Sequence, residues 1–462
     1  MADPPASAPV TIAVVGHANT GKTSLVRTLT RDRGFGEVSP RPGTTRHVEG
    51  VQLMADGRAL VELHDTPGLE DPGRLRDFID ARWGADRIDG PARIDRFLDS
   101  PEADGHWAQE AKVLRRLRTS DAGFFVIDAR DPVLAKHRDE LALLSACAVP
   151  LLPVLNFVRG GDTHEADWRE ALGRHGLHAS VAFDAFAPER DAEARLYQAL
   201  GTLLGKHRDA FDTLVDARKR EFEQRRSAAT HAIAELLVDL AAVRREVPST
   251  PEAAMRKAVA KLGDDVRRHE ARTVRDLLAL YQFDEKDVDA PELPLLDGRW
   301  ELDLFNPEAL KQAGVSIAGG AAGGAAAGAA IDAMTGFLSL GAGAALGALI
   351  GGGARKRREI LAMARKRRLL SVDDPILALV AQRNLALVKL LEARGHGAEG
   401  SAAMSGDAPS QKLPRVLNRA RSNPEWSRLG ASFQPQETRE SSVEMLAYAL
   451  QDGLEADAGR SH

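Results

Sequence analysis

Short apolar runs bounded by turn residues recur through the first part of the chain: Thr11–Val15, His47–Met54, Ala59–His64, Gly123–Ile127, Pro150–Val158 and Ser180–Phe183. Runs this short and this apolar read as strands buried on both faces. Helical patterns separate most of them. Strand alternating with helix predicts an α/β domain over residues 10–206, a doubly wound, mostly parallel sheet with helices on both sides. Inside it, the stretch 69–120 is long, charged and poor in β-branched residues. LEDPGRLRDFIDARWGADRIDG carries several turn signals. The segment reads as a solvated surface insertion, the alternative being a lid or partner surface that moves with a ligand.

From Arg208 to Gln282 strand signals vanish. Ala229, Ile233, Leu236, Leu240 and Val243 fall on one helical face, and Val259, Leu262, Val266, Val274, Leu277 and Leu280 on another. Thr250-Pro251 is a good start for the second. The two read as an antiparallel pair in a helical domain over 207–310, with an irregular stretch at Phe283–Pro307.

Val315–Gly353 then holds 12 glycines and 13 alanines, with Asp332 as its only charge. Gly320, Gly324 and Gly328 form one small-residue strip, and Gly343, Gly347 and Gly351 another. So many glycines cost on the order of 10 kcal/mol against alanine in a helix, so such helices must pack closely. Two readings of 311–354 stand: a glycine-zipper hairpin at a membrane, or a hairpin close-packed within the protein. Arg355-Lys356-Arg357-Arg358 and Arg365–Arg368 follow in a span, 355–391, read as basic helices. They fit the cytoplasmic flank of a membrane segment, so lipid contact through 315–368 is the expectation. Against insertion, Ala and Gly are weakly apolar and Asp332 sits mid-segment. Past Leu391 the chain is rich in Gly, Ser, Asn and Pro, and 392–462 reads as a linker with short helices at Leu413–Arg421 and Ser442–Leu450.

At 462 residues and net charge −5, the chain suits several domains and gives no global attraction to nucleic acid. Its one cysteine, Cys147, excludes a disulfide framework and reads as a small buried hydrophobe. Residues 1–9 lack the basic and apolar regions of a signal peptide and read as a disordered arm, and the single cysteine fits a reducing cytosol. His175 and His178 have no partner at metal-ligand spacing.

The chemistry lies in three motifs. Gly16 to Ser24, GHANTGKTS, has the P-loop spacing and stands between a strand and a helix start. Its residues Gly16, His17, Ala18, Asn19, Thr20, Gly21, Lys22, Thr23 and Ser24 would turn amides around phosphate oxygens. Lys22 would bridge the β- and γ-phosphates, and Thr23 would ligate Mg²⁺. Asp65-Thr66-Pro67-Gly68 follows the run Ala59–His64. Asp65 can hold a water on the metal, and Gly68 lets an amide reach the γ-phosphate. Between them, Pro42-Gly43-Thr44-Thr45-Arg46 offers Thr44 or Thr45 to the metal shell, and sequence does not separate the two.

This set resembles the TRAFAC-class GTPases of the Era and TrmE type, which implies a Ras-like fold, GTP and Mg²⁺. The resemblance also implies that Asn19 helps bind K⁺, although Asn19 reads equally as a loop cap. Leu69 stands where Ras has its catalytic glutamine, as in that family. Lys22, Asn19 and Thr45 are then the catalytic set, and Thr23, Thr44 and Asp65 the metal set. The match weakens at the base. Of N-K-x-D only Asn156 is present, with Phe157 and Arg159 following, and Phe183-Asp184-Ala185 replaces S-A-K. Asp162 and Asp184 are the nearby carboxylates, and each also reads as a turn cap. The DAR-D-P turn at Asp128–Pro132, Leu155–Phe157 and the Gly/Ala-rich segment resemble bacterial GTPases with an uncharacterised C-terminal domain. The expectation is a GTP-hydrolysing switch with an unidentified protein partner, at the inner face of a membrane. A scaffold or membrane-remodelling protein with little turnover, and an ATPase, remain as alternatives.

Overall fold

The computed structural model describes residues 8–31, 49–158, 163–185, 191–248, 252–283, 295–296, 299–300, 338–339, 367–393 and 415–458. They divide into two compact units, one ending at Phe222 and the other starting at Glu223.

The first unit is built on six strands: β1 (Val10–Val15), β2 (Glu49–Ala55), β3 (Arg58–Asp65), β4 (Ala122–Asp128), β5 (Leu151–Asn156) and β6 (Val181–Ala182). Their order is β2-β3-β1-β4-β5-β6, and only the β2–β3 pairing is antiparallel. The order reverses direction at β1, so β1 and β3 present their carboxyl ends at the switch point where such sheets bind ligands. Alternate residues serve opposite faces. Ile12 and Val14 join Leu25 and Leu29 of helix α1 (Lys22–Thr30), while Ala13 and Val15 face a second core.

That second core corrects the solvated reading of 69–120. The segment folds as α2 (Pro72–Trp83), α3 (Gly90–Leu98), α4 (Pro101–Asp104) and α5 (Ala108–Arg118). Leu75, Ile79, Ile94, Phe97, Trp107, Leu114 and Leu117 are all buried. Its apolar positions are sparse but recur at helical spacing, which is enough to bury one face of each helix against the sheet. Helices α6 (Ala135–Ala146), α7 (Glu165–Arg174) and α8 (Ala192–Leu203) also belong to this unit.

Helix α9 (Arg208–Ala242) begins in the first unit, where Phe211 and Leu214 join the core of the sheet, and ends in the second. There Ile233, Leu236 and Leu240 pack with Leu262, Val266, Val274 and Leu277 of α10 (Glu252–Leu280). A strand, β7 (Arg245–Pro248), lies between these helices, where none was expected. The short strands β8 (Leu295–Leu296) and β9 (Arg299–Trp300) pair with each other, and β10 (Leu338–Ser339) pairs with β11 (Arg367–Val372). β11 also pairs with β7, and it corrects the basic-helix reading at that point. Leu370 and Val372 are buried while Leu369 and Ser371 are half-buried, a period of two that the preceding arginines hide in the sequence. Helix α11 (Asp374–Ala393) follows.

The linker reading is also corrected for 415–458. Helices α12 (Arg415–Ser422) and α13 (Glu437–Ala458) flank Trp426, which is 1% exposed in the same core as Val443 and Leu446. Inside this unit, buried Asp239 accepts from Arg439 at 3.0 Å and lies 2.9 Å from His269 Nε2. The glycine-zipper expectation falls on residues outside those described, apart from Leu338–Ser339. Among the described residues, no helix is long and apolar enough to cross a membrane.

Candidate functional site

The P-loop leaves the carboxyl end of β1 and runs into α1. Gly21 is the N-cap, with φ 88°, a left-handed conformation that costs a side-chain-bearing residue strain. A Cβ there would also meet Asn156 Nδ2 at 2.3 Å. Lys22 is buried and folds back over the loop, its Nζ donating to the carbonyls of Gly16 at 3.0 Å and His17 at 2.7 Å. Burial pushes the Lys22 ammonium below its ordinary pKa, against the opposing fields of Asp65 and Glu140. Its protons therefore rest on weak acceptors in a cradle where phosphate oxygens would be stronger ones.

The Thr23 hydroxyl donates to Asp65 Oδ2 at 2.5 Å, and Asp65 is 1% exposed at the tip of β3. One hydroxyl and one carboxylate, converging beside the lysine, are the oxygen donors Mg²⁺ prefers. They fit a site in which the substrate's phosphates and water supply the remaining ligands. Among the described residues no group of three or more His, Cys, Asp or Glu gathers into a metal site.

The Asp65–Gly68 turn is strapped to the sheet by Thr66, whose hydroxyl donates to the Val14 carbonyl at 2.7 Å. That strap brings Gly68 against the P-loop. A Cβ at Gly68 would lie 2.6 Å from Ala18 N. Leu69 pairs with His17 in an isolated parallel bridge, and its side chain is fully buried. Asn19 is exposed with φ 65°, and Ser24 is buried. Thr44 and Thr45 lie outside the described residues.

Asn156 closes the loop from behind. Its Nδ2 donates to the Thr20 carbonyl at 3.0 Å, and its Oδ1 accepts from the amides of Phe157 and Ala185, both at 2.9 Å. Beyond it the chain departs from the N-K-x-D pattern. Phe157 has φ 57°, and the Arg130 guanidinium lies 3.9 Å from its ring centroid. Arg130 in turn holds both oxygens of Asp128. Asp184 is buried beside Ala185, while Asp162 falls outside the described residues.

Sequence reasoning missed Thr66, Arg130, His17's ring contacts and Glu140. The ring of His17 receives Lys136 Nζ at 3.0 Å and meets the His137 ring edge-on. Burial and Lys136 hold His17 down to about 4, so it is neutral near pH 7. Glu140, one turn along α6 from Lys136, is 1% exposed, and burial raises its carboxyl to about 8. Only Thr66 had a signal, as the polar residue inside a recognised motif.

Residues 169–448 match the family model described as "Domain of unknown function (DUF3482)". The chain belongs to the DUF3482 family. Ahead of the DUF3482 domain, residues 11–157 match the model described as "50S ribosome-binding GTPase", so this family member carries an N-terminal P-loop GTPase domain. The chain is 43% identical over 79 residues to GTPase Der of Desulforudis audaxviator, 17% of this chain and 18% of that protein. It is 36% identical over 115 residues to GTPase Era of Acidimicrobium ferrooxidans, 24% of this chain and 37% of that protein. Probable GTP-binding protein EngB of a Jannaschia species is 29% identical over 177 residues, 37% of this chain and 68% of that protein. The DUF3482 chain thus spans well under half the length of the Der and Era relatives.

Proposed function

We infer that this chain binds Mg²⁺–GTP and hydrolyses it to GDP and phosphate as a molecular switch. The observation that carries this reading is the convergence of Lys22, Thr23, Asp65 and Gly68 on one loop. Lys22 leaves the carbonyls of Gly16 and His17 for the β- and γ-phosphate oxygens. Thr23 and Asp65, now hydrogen-bonded to each other, would hold the Mg²⁺. Mg²⁺, when bound, offsets the charge that builds on the phosphate oxygens. The Gly68 amide meets the γ-phosphate, so losing that phosphate loosens the Gly68–Leu69 loop from Ala18 and His17. Leu69 has no proton to exchange with an attacking water. Turnover therefore draws on another group, and Asn19 with K⁺ is the one the Era-type resemblance supplies.

Purified chain is tested for phosphate release from GTP with K⁺ or Na⁺, and for competition between GTP and ATP for one labelled nucleotide. K⁺-stimulated release with GTP preferred is the expected result. Buried Leu69 favours a second reading, a scaffold that binds nucleotide with little turnover. Tight binding without release in any condition supports that one, and equal competition by ATP overturns guanine selectivity. The basic run Arg355–Arg358 supports contact of 315–368 with anionic lipid, which a vesicle-sedimentation arm tests.

A further inference from the structure

The residues around the P-loop give a bound nucleotide a direction. Asp65 and Gly68, which the proposed reading gives to the metal and the γ-phosphate, stand at the tip of β3, on one side of β1. On the other side, past β4, the tip of β5 meets the loop through Asn156 and Phe157. A triphosphate with its γ end at β3 sends its nucleoside end that way. Phe157 has φ 57°, a backbone conformation that is an outlier for a bulky side chain and marks a constrained position. Its amide donates to Asn156 Oδ1 at 2.9 Å. The ring reaches back over the loop, with Cζ 3.4 Å from where a Cβ on Gly21 would lie, and it is half-buried, so part of it meets solvent. The Arg130 guanidinium lies 3.9 Å from its centroid. Both oxygens of Asp128 hold that guanidinium, at 2.9 and 2.7 Å. They balance its charge and fix its plane, so it steadies the ring.

We propose that the Phe157 ring, steadied by Arg130, is the surface on which the nucleobase of the bound triphosphate stacks. This rests on the P-loop being a triphosphate site, as inferred above. Asn156 sets the distance between ring and phosphates. It is bonded at once to the Thr20 carbonyl of the loop and to the amides of Phe157 and Ala185, so cradle and platform move as one piece. A platform held in place before binding loses little freedom when the base arrives. Every base has a π-face, and a purine has the larger one, so a purine nucleotide is the ligand class this surface suits best.

The experiment is titration calorimetry of the full chain with Mg²⁺ and two ligands, a β,γ-imido GTP analogue and its base-free ribose counterpart. Both carry the same phosphates, so the difference between them reports the base. Phe157→Leu keeps an apolar side chain and removes the π-face. Its affinity for the GTP analogue is expected to fall by about tenfold, with affinity for the base-free ligand unchanged. Phe157→Trp, which restores a π-face, is expected to bind the GTP analogue at least ten times more tightly than Phe157→Leu does. An equal loss of both ligands in Phe157→Leu places the ring in general loop stability and overturns the inference, as does no loss of either. Wild type that binds the two ligands alike overturns it as well, and that comparison needs no variant, so a misfolded Phe157→Leu leaves it decisive. A chain that binds neither ligand overturns the P-loop reading itself.

Discussion

Asn156 Nδ2 and the Thr20 carbonyl stand 3.0 Å apart, joining the tip of β5 to the middle of the P-loop. Asn156→Ala removes that donor and the acceptor for the Phe157 and Ala185 amides. Each buried group left unsatisfied costs about 1–3 kcal/mol. Calorimetric melting is expected to show a lower Tm for the first unit. GTP affinity falls with it, because the loop loses its backing.

Lys22 separates stability from binding. Its ammonium is buried at a cost, so Lys22→Met is expected to melt at or above wild type without nucleotide. Titration with GTP should show affinity lower by about a hundredfold or more, since charge-assisted bonds to phosphate are lost. A Lys22→Met protein that binds GTP like wild type would refute the assigned role.

Gly68→Ala tests the loop beside the γ-phosphate. The new Cβ would collide with main-chain atoms of Ala18, at 2.6 and 2.8 Å, so the backbone must retreat. A shift of about 1 Å can cost about a hundredfold in rate. The expected pattern is a large drop in phosphate release with GDP affinity nearly unchanged. Equal loss of both would place Gly68 in general loop stability instead.

Stability should depend on pH through two opposed groups. His17 is lowered from 6.5 to about 4, so its neutral folded form favours the native state above pH 6.5 and loses that contribution as pH falls toward 4. Glu140 is raised from 4.5 to about 8, so the folded chain keeps a proton that the unfolded chain has lost. Stability therefore falls as pH rises through that window, by at most about 1.4 kcal/mol per unit. Melting Glu140→Gln beside wild type at pH 6 and pH 8 checks this. The variant is expected to lose less stability between the two, and parallel losses would contradict it.

In the second unit Trp426 is 1% exposed and donates to Gln436 Oε1 at 3.0 Å. Trp426→Ala is expected to cost about 3–5 kcal/mol. Calorimetry should show this as an early transition of the second unit. GTP affinity, read in the same samples below that transition, is expected to hold.

The sequence by itself determined the strand runs, the P-loop, the Asp65–Gly68 turn and the two long helices, because each depends on neighbours a few residues apart. A buried strand has to be apolar, and a loop wrapped on phosphate has to carry glycine. Burial of Cys147 was legible for the same reason, and the structure places it fully inside, with its thiol raised to about 12. What only the tertiary structure decided depends on distant partners. The arginines of β11 conceal a strand whose alternation matters only against β7. Trp426 and α13 look like linker until a core exists to receive them. Glu140 sits in a helix whose sequence shows nothing unusual, and its raised carboxyl comes from the burial that the folded unit imposes on it. Local pattern fixes which backbone shapes are cheap, while the field around a buried charge is set by whatever the fold packs against it.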